Sequence, residues 1–213
     1  MLPILIIKLL LLINSFPNSG YLSLFLVTHG GLFRFSPDKK AKQLAALNML
    51  SPTFKNHPYY RQMKARLLDR KYPNIGDPFK EFTLTDINDS NFNSNSIKNK
   101  WILLNFWSNG CGPCVREMDA FVNLYKSIDT SKIAFISIAL DENRNKWKNA
   151  KATNKIKWTS VWEEDNFSGK LCLNYNVSSM PFFVLFNKEK KIVFLKDGAD
   201  ELENIKNILL AIK

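Results

Sequence analysis

In the second half of the chain, apolar positions fall into short bursts with two alternating periods. "KWILLNFW" (Lys100–Trp107) and "KIAFISIAL" (Lys132–Leu140) are nearly continuous apolar runs of strand length, rich in large and β-branched side chains. Between them, "PCVREMDAFVNLYKSI" carries apolar residues at Val115, Met118, Phe121, Val122, Tyr125 and Ile128, the period of a helix. This order predicts a right-handed βαβ unit with a parallel strand pair. Downstream, "ENRNKWKNAKATN" predicts a polar helix anchored by Trp147, "TSVWEE" a short strand and "GKLCLNYNV" a short helix. "PFFVLFN" and "KIVFLKD" predict a hairpin across "NKEK", a turn without the usual glycine. "DELENIKNILLAIK" predicts a closing amphipathic helix, with Leu202, Ile205, Ile208, Leu209 and Ile212 on one face. Upstream, "FKEFTLTD" and "NFN" supply one or two further strand pieces. The alternation predicts an α/β fold.

Residues 1–73 have a different texture. "SPDKKAKQLAALNML", "SPTF" and "HPYYRQMKARLLDRKY" each open like a helix, with Ser36–Pro37, Ser51–Pro52 and His57–Pro58 at the starts. "KYPNIGD" then reads as a linker. Three segments result: an apolar N-terminal stretch at 1–31, a basic helical arm at 32–73 and an α/β domain at 74–213. Charge follows the same division. The net +11 of the 213 residues is concentrated in the arm, where ten Lys and Arg face two Asp, a net of +8. No nucleic-acid-binding motif accompanies these charges, and such residues commonly coat solvated helix faces. Nucleic acid is therefore not the expected partner.

The chemistry lies in "WSNGCGPCVREM". The chain has three cysteines, Cys111, Cys114 and Cys172, too few for a disulfide framework. A zinc site wants four protein ligands, or three and a water. A second C-x-x-C is absent, and His29 and His57 lie far upstream without ligand spacing. A staple closing so short a loop removes little entropy from the unfolded chain. A redox pair remains, and the flanks support it. "SNGCGP" follows the Trp107 strand as a turn, and Pro113 stands at the expected first helical position. Cys111 then lies at the helix start and Cys114 in its first turn. The unpaired N–H groups there stabilise a thiolate. Cys172, among Leu171, Leu173 and Tyr175 on a short helix, reads as core.

These motifs together resemble the TlpA/ResA type of thioredoxin-fold thiol–disulfide oxidoreductases of the cell envelope. The resemblance covers residues 74–213 and is carried by "IGDPFKEFTLTDIN", "LLNFWSNGCGPC" and "YNVSSMPFFVLFNKEKKIV". It implies a thioredoxin-like fold, a central mixed sheet flanked by helices, preceded here by the helical N-terminal arm. Cys111 is expected to attack a substrate disulfide and Cys114 to resolve the mixed disulfide. Pro181 is expected to face the dithiol across a cis Met180–Pro181 bond. The backbone of Met180, with Trp107, Gly112 and Pro113, is expected to meet the substrate as an added strand would. Thioredoxin's buried acid, six residues before the first cysteine, is replaced by Asn105, as is common in this branch. Glu117 matches an acid found near the dithiol in ResA-like members. A solvated first-turn Glu accounts for it equally well. Gly110 stands where Trp is usual, which removes an apolar wall, and Asp119 where a kink-forming Pro is usual.

The implied function is reduction of protein disulfides in the envelope or periplasm. Apocytochrome c is one substrate of the class, with electrons drawn from a membrane-bound donor. No metal or organic cofactor is implied. Two other readings stand beside it: a thiol peroxidase of the same fold, and a peptide-holding chaperone using the Pro181 groove. "MLPILIIKLLLLI" also admits two readings. It has the length of a signal-peptide core, and with "GYLSLFLV" it makes a poor membrane anchor. Alternatively, "YLSLFLV" is a packed helix resembling the segment that precedes the thioredoxin domain in longer, two-domain TlpA-like proteins.

Overall fold

The computed structural model describes residues 39–48, 50, 55, 56, 60, 61, 64, 67, 68 and 73–212. The chain divides into two compact units, Met1–Lys71 and Tyr72–Lys213. In the first unit, helix α1 spans Lys39–Asn48 and buries Ala46 and Leu47. The helix starts expected at Ser36–Pro37, Ser51–Pro52 and His57–Pro58 lie outside the described residues, as does the apolar stretch 1–31.

In the second unit the elements run β1 (Thr83–Asp86), β2 (Asn91–Asn93), β3 (Trp101–Trp107), α2 (Gly112–Ser127), β4 (Ile133–Ala139), α3 (Arg144–Thr153), β5 (Thr159–Trp162), α4 (Lys170–Tyr175), β6 (Phe182–Phe186), β7 (Ile192–Asp197) and α5 (Glu201–Leu210). One seven-stranded sheet takes the order β2-β1-β5-β4-β3-β6-β7. β3, β4 and β5 are parallel neighbours, and β6, β7, β1 and β2 join antiparallel. The sheet is mixed and helix-flanked, as the resemblance implied.

Alternation along β3 sends side chains to opposite faces. Leu103 and Trp107 pack with Phe135, Phe183 and Leu185 under α2, α3 and α5. Ile102, Leu104 and Phe106 pack with Ile138, Val184 and Phe186 against α4 and Phe79. Both faces of β3 are thus covered, which is why its sequence reads as a continuous apolar run. Buried indoles satisfy buried hydroxyls: Trp147 donates to Ser160 (2.9 Å) and Trp158 to Ser137 (2.8 Å).

α2 departs from its expected face at Val115 and Leu124. Cys114, Met118, Phe121, Val122 and Leu124 are buried, while Val115 is 39 % exposed. Val115 lies in the first turn, beside the exposed Gly112 and Arg116. Phe121 stacks on Phe183 and meets Phe135 and Trp158 at tilted angles, fixing the helix over β3.

Candidate active site

Beyond the carboxyl end of β3 the chain turns through Ser108–Gly110 into α2. Cys111 N–H donates to the Ser108 carbonyl (3.1 Å) and closes the turn. Cys111 is the N-cap of α2, with extended backbone (φ −87°, ψ 100°), and its sulfur accepts the Cys114 N–H at 3.2 Å. Gly112 is the first helical residue and Pro113 the second, one position later than expected. Pro113 forgoes an N–H that has no intrahelical acceptor there anyway. Cys111 and Cys114 form a disulfide, with Cα atoms 5.3 Å apart. Cys111 is half-buried and Cys114 is 4 % exposed, so Cys111 presents the accessible sulfur.

The Met180–Pro181 peptide is cis. Pro181 is buried, and its carbonyl accepts the Gly198 N–H (2.9 Å). Ser179 donates to Asp197, tying the preceding residues to the end of β7. Pro181, Cys114, Glu117, Asn105, Met118, Phe121 and Phe183 line one small cavity of about 10 Å³, at the threshold for holding a single water.

The structure therefore brings Cys111, Cys114, Pro181 and Glu117 together. Met180 is half-buried beside them, packed against both core clusters. Gly112 is exposed and Pro113 partly so. Trp107 is placed differently from the expected substrate contact. It is fully buried, in the same cluster as Cys114, so its side chain is not open to a substrate in this structure. Gly110 is exposed, and a methyl group added there would meet only Ser108 Oγ, at 3.9 Å. Asp119 is exposed on α2, which runs unbroken to Ser127.

Electrostatics around the cavity are acidic. Burial raises the Glu117 carboxyl above its ordinary range, the negative charge of Asp200 raises it further, and Arg116 opposes both. Asn105 is 5 % exposed, and its Oδ1 accepts no hydrogen bond from the described residues. A raised carboxyl, an amide oxygen and the buried sulfur thus share one water-sized space, a composition suited to proton exchange. Cys172, on α4, is 1 % exposed and free, and burial holds its thiol well above the ordinary value. That is an inert core thiol.

Motif reading passed over one residue. Asp141, two positions beyond the end of β4, is buried, and its Oδ1 accepts the Asn109 N–H at 2.9 Å. The available signal was positional, since in α/β sheets functional groups gather beyond the carboxyl ends of parallel strands.

Fold and dithiol define a thioredoxin-like thiol–disulfide oxidoreductase. The chain belongs to the AhpC/TSA family, whose profile matches residues 75–195. Thiol-disulfide oxidoreductase ResA of Bacillus cereus is 26% identical over 141 residues, covering 66% of this chain and 80% of that protein. Two solved structures share the fold. The thioredoxin domain of a thiol-disulfide oxidoreductase from Bacteroides vulgatus aligns with a TM-score of 0.55 and 24% identity, over 64% of this chain and 98% of that one. A secreted Mycobacterium tuberculosis disulfide oxidoreductase homologous to Escherichia coli DsbE aligns with a TM-score of 0.52 and 22% identity, over 60% of this chain and 96% of that one.

Proposed function

We propose that the protein is a reductant of protein disulfides acting outside the cytoplasm. The observation that carries this reading is the disulfide-bonded pair at the start of α2, with one accessible and one buried sulfur beside Pro181. The Cys111 thiolate attacks one sulfur of a substrate disulfide, forming a mixed disulfide and expelling the other sulfur as a thiolate. Cys114 loses its proton and attacks the Cys111 sulfur. The substrate leaves as a dithiol, and two electrons have passed from the Cys111–Cys114 pair to it.

The Cys114–Cys111 N-cap contact supports the first step, because a helix N-terminus stabilises the thiolate. The Asn105–Glu117 cavity supports the second, as a route for the Cys114 proton. Met180, Gly112 and Pro113 offer the surface that an extended substrate segment would lie along. Apocytochrome c disulfides are the substrates we favour, with a membrane-bound donor returning the electrons. Location in the envelope is supported by the secreted relative of the same fold and by the apolar stretch 1–31. Among the described residues, no helix is long and apolar enough to cross a membrane.

Insulin-disulfide reduction tests the reading. Wild type is expected to turn over, and Cys111→Ser to lose activity entirely. Cys114→Ser is expected to stall as a mixed disulfide that dithiothreitol releases. A Cys111→Ser protein that reduces insulin at the wild-type rate overturns the assignment. A chaperone role alone would be indifferent to the substitution, and a thiol peroxidase would consume peroxide instead.

A further inference from the structure

The Asp141 carboxyl is held on a rigid post. Leu140 N–H donates to the Trp107 carbonyl (2.8 Å), and the Asp141 carbonyl accepts the Trp162 indole N–H (2.8 Å). Asn166 Nδ2 donates to the Leu140 carbonyl (2.9 Å), and Glu163 N–H donates to the Ala139 carbonyl (3.0 Å). The residue is thus tied to the ends of both neighbouring strands, β3 and β5. From that post it reaches across to the dithiol turn, 32 residues away in sequence, and takes the Asn109 N–H.

The turn has little else to hold it. Asn109 and Gly110 are exposed, and Gly110 has no side chain to pack. Together with the Cys111–Ser108 backbone bond, the Asn109–Asp141 bond restrains the turn that leads into the Cys111 N-cap. The arrangement is costly. Asp141 is 6 % exposed, and its Oδ2 makes no hydrogen bond among the described residues. Burial raises its carboxyl above the ordinary value, while the Asn109 N–H and then the charge of Lys146 on α3 oppose this and favour the carboxylate. Burying a half-satisfied carboxyl destabilises a fold, so packing alone does not account for it. A charged acceptor does hold a backbone N–H more firmly than a neutral one.

We propose that Asp141 is a positioning residue for the dithiol: it grips the Asn109 N–H and so fixes the turn from which the Cys111 sulfur engages the α2 N-terminus. The proposal rests on the reading of Cys111 as the attacking thiol. With the grip removed, the turn relaxes and the sulfur is held less well against the Cys114 N–H. The Cys111 thiolate is then less stabilised.

Amide exchange on the reduced wild-type protein, with thiol titration and insulin kinetics on variants, tests it. The Asn109 amide is expected to exchange at least about tenfold more slowly than an unprotected loop amide. In Asp141→Ala that protection is lost, the Cys111 thiol pKa rises, and kcat/KM for insulin falls about tenfold. Asp141→Asn keeps an acceptor oxygen in place and is expected to stay within about threefold of wild type. A residue that merely fills space would lower Tm in both variants and leave the Cys111 pKa and the rate alone. Unprotected exchange at Asn109 in the wild type overturns the proposal and needs no variant to fold. So does an Asp141→Ala protein with an unchanged Cys111 pKa and a rate within about twofold of wild type. A wild-type protein that reduces no insulin at all would instead sink the functional reading, leaving the Asn109 exchange result to stand by itself.

Discussion

Besides Asp141, two carboxyls with raised pKa values, the half-buried Glu117 and the buried Glu163, sit in different surroundings and make different predictions. Glu117 faces Cys114 and Pro181 across the small cavity, where the amide of Asn105 cannot take a proton. Glu117→Gln keeps size and helix propensity but removes the acid. It is expected to slow insulin reduction several-fold, by roughly 3 to 10 times, and to flatten the rate's dependence on pH while barely moving Tm. Identical pH–rate profiles for variant and wild type would return Glu117 to an ordinary helix-face residue. Glu163, at the end of β5, is raised from 4.5 to about 7, chiefly by burial, with Asp165 and Glu164 adding to the effect and the Leu171 N–H opposing it. Between those two values the unfolded chain has released this proton while the folded chain keeps it. Stability associated with Glu163 is thus full below about pH 4.5 and falls as pH rises through about 7, by roughly 3 kcal/mol at most. Denaturant unfolding of Glu163→Gln is expected to lose that pH dependence. A pH slope equal to that of wild type would contradict it. Cys111 and Cys114 were legible in the sequence because their chemistry is written in a local motif, whereas Pro181 was legible only through the family resemblance. Asp141 was not, because its partner is a backbone N–H brought near only by the β3–β4 pairing.

At the scale of the element, helices and strands were legible wherever one face dominates. The α2 start was visible from Pro113, but the periodic pattern promoted Val115 to the core and passed over Leu124, because apolar spacing alone does not report which helix positions other elements cover. The β6–β7 hairpin formed without a turn glycine. Lys190 adopts the left-handed conformation (φ 57°), and Asn187 accepts the Lys191 N–H through its side chain (2.9 Å). The junction of β5 with α4 shows a glycine required by space rather than by dihedral. Gly169 has φ −61°, yet a methyl group there would lie 2.0 Å from the Glu163 carboxyl carbon. Gly169→Ala is expected to cost about 1–3 kcal/mol through displacement of that carboxyl. At the open position, Gly110→Ala is expected to change stability by less than about 0.5 kcal/mol. Urea midpoints of the two variants check this, and equal losses would contradict the packing described around Glu163.

For the whole molecule, the βαβ unit and the hairpin predicted the sheet's centre and one edge. The other edge was not readable. β1 and β2 join beside β5 through antiparallel pairing of Thr85 with Trp162 and Asp86 with Val161, and nothing local in "FKEFTLTD" names that neighbour. The completed sheet sets the carboxyl ends of β3 and β4 side by side, and the dithiol turn and Asp141 meet there. It also brings Pro181, at the start of β6, against the same helix start. These elements meet at the Cys111–Cys114 pair, and its equilibrium reduction potential tests most directly whether the pair acts as the proposed reductant. Titrated against a glutathione or dithiothreitol buffer, the pair is expected to equilibrate reversibly near thioredoxin's value of about −270 mV. A potential close to the strongly oxidising value of about −120 mV, or a pair that does not exchange with the buffer at all, would contradict it.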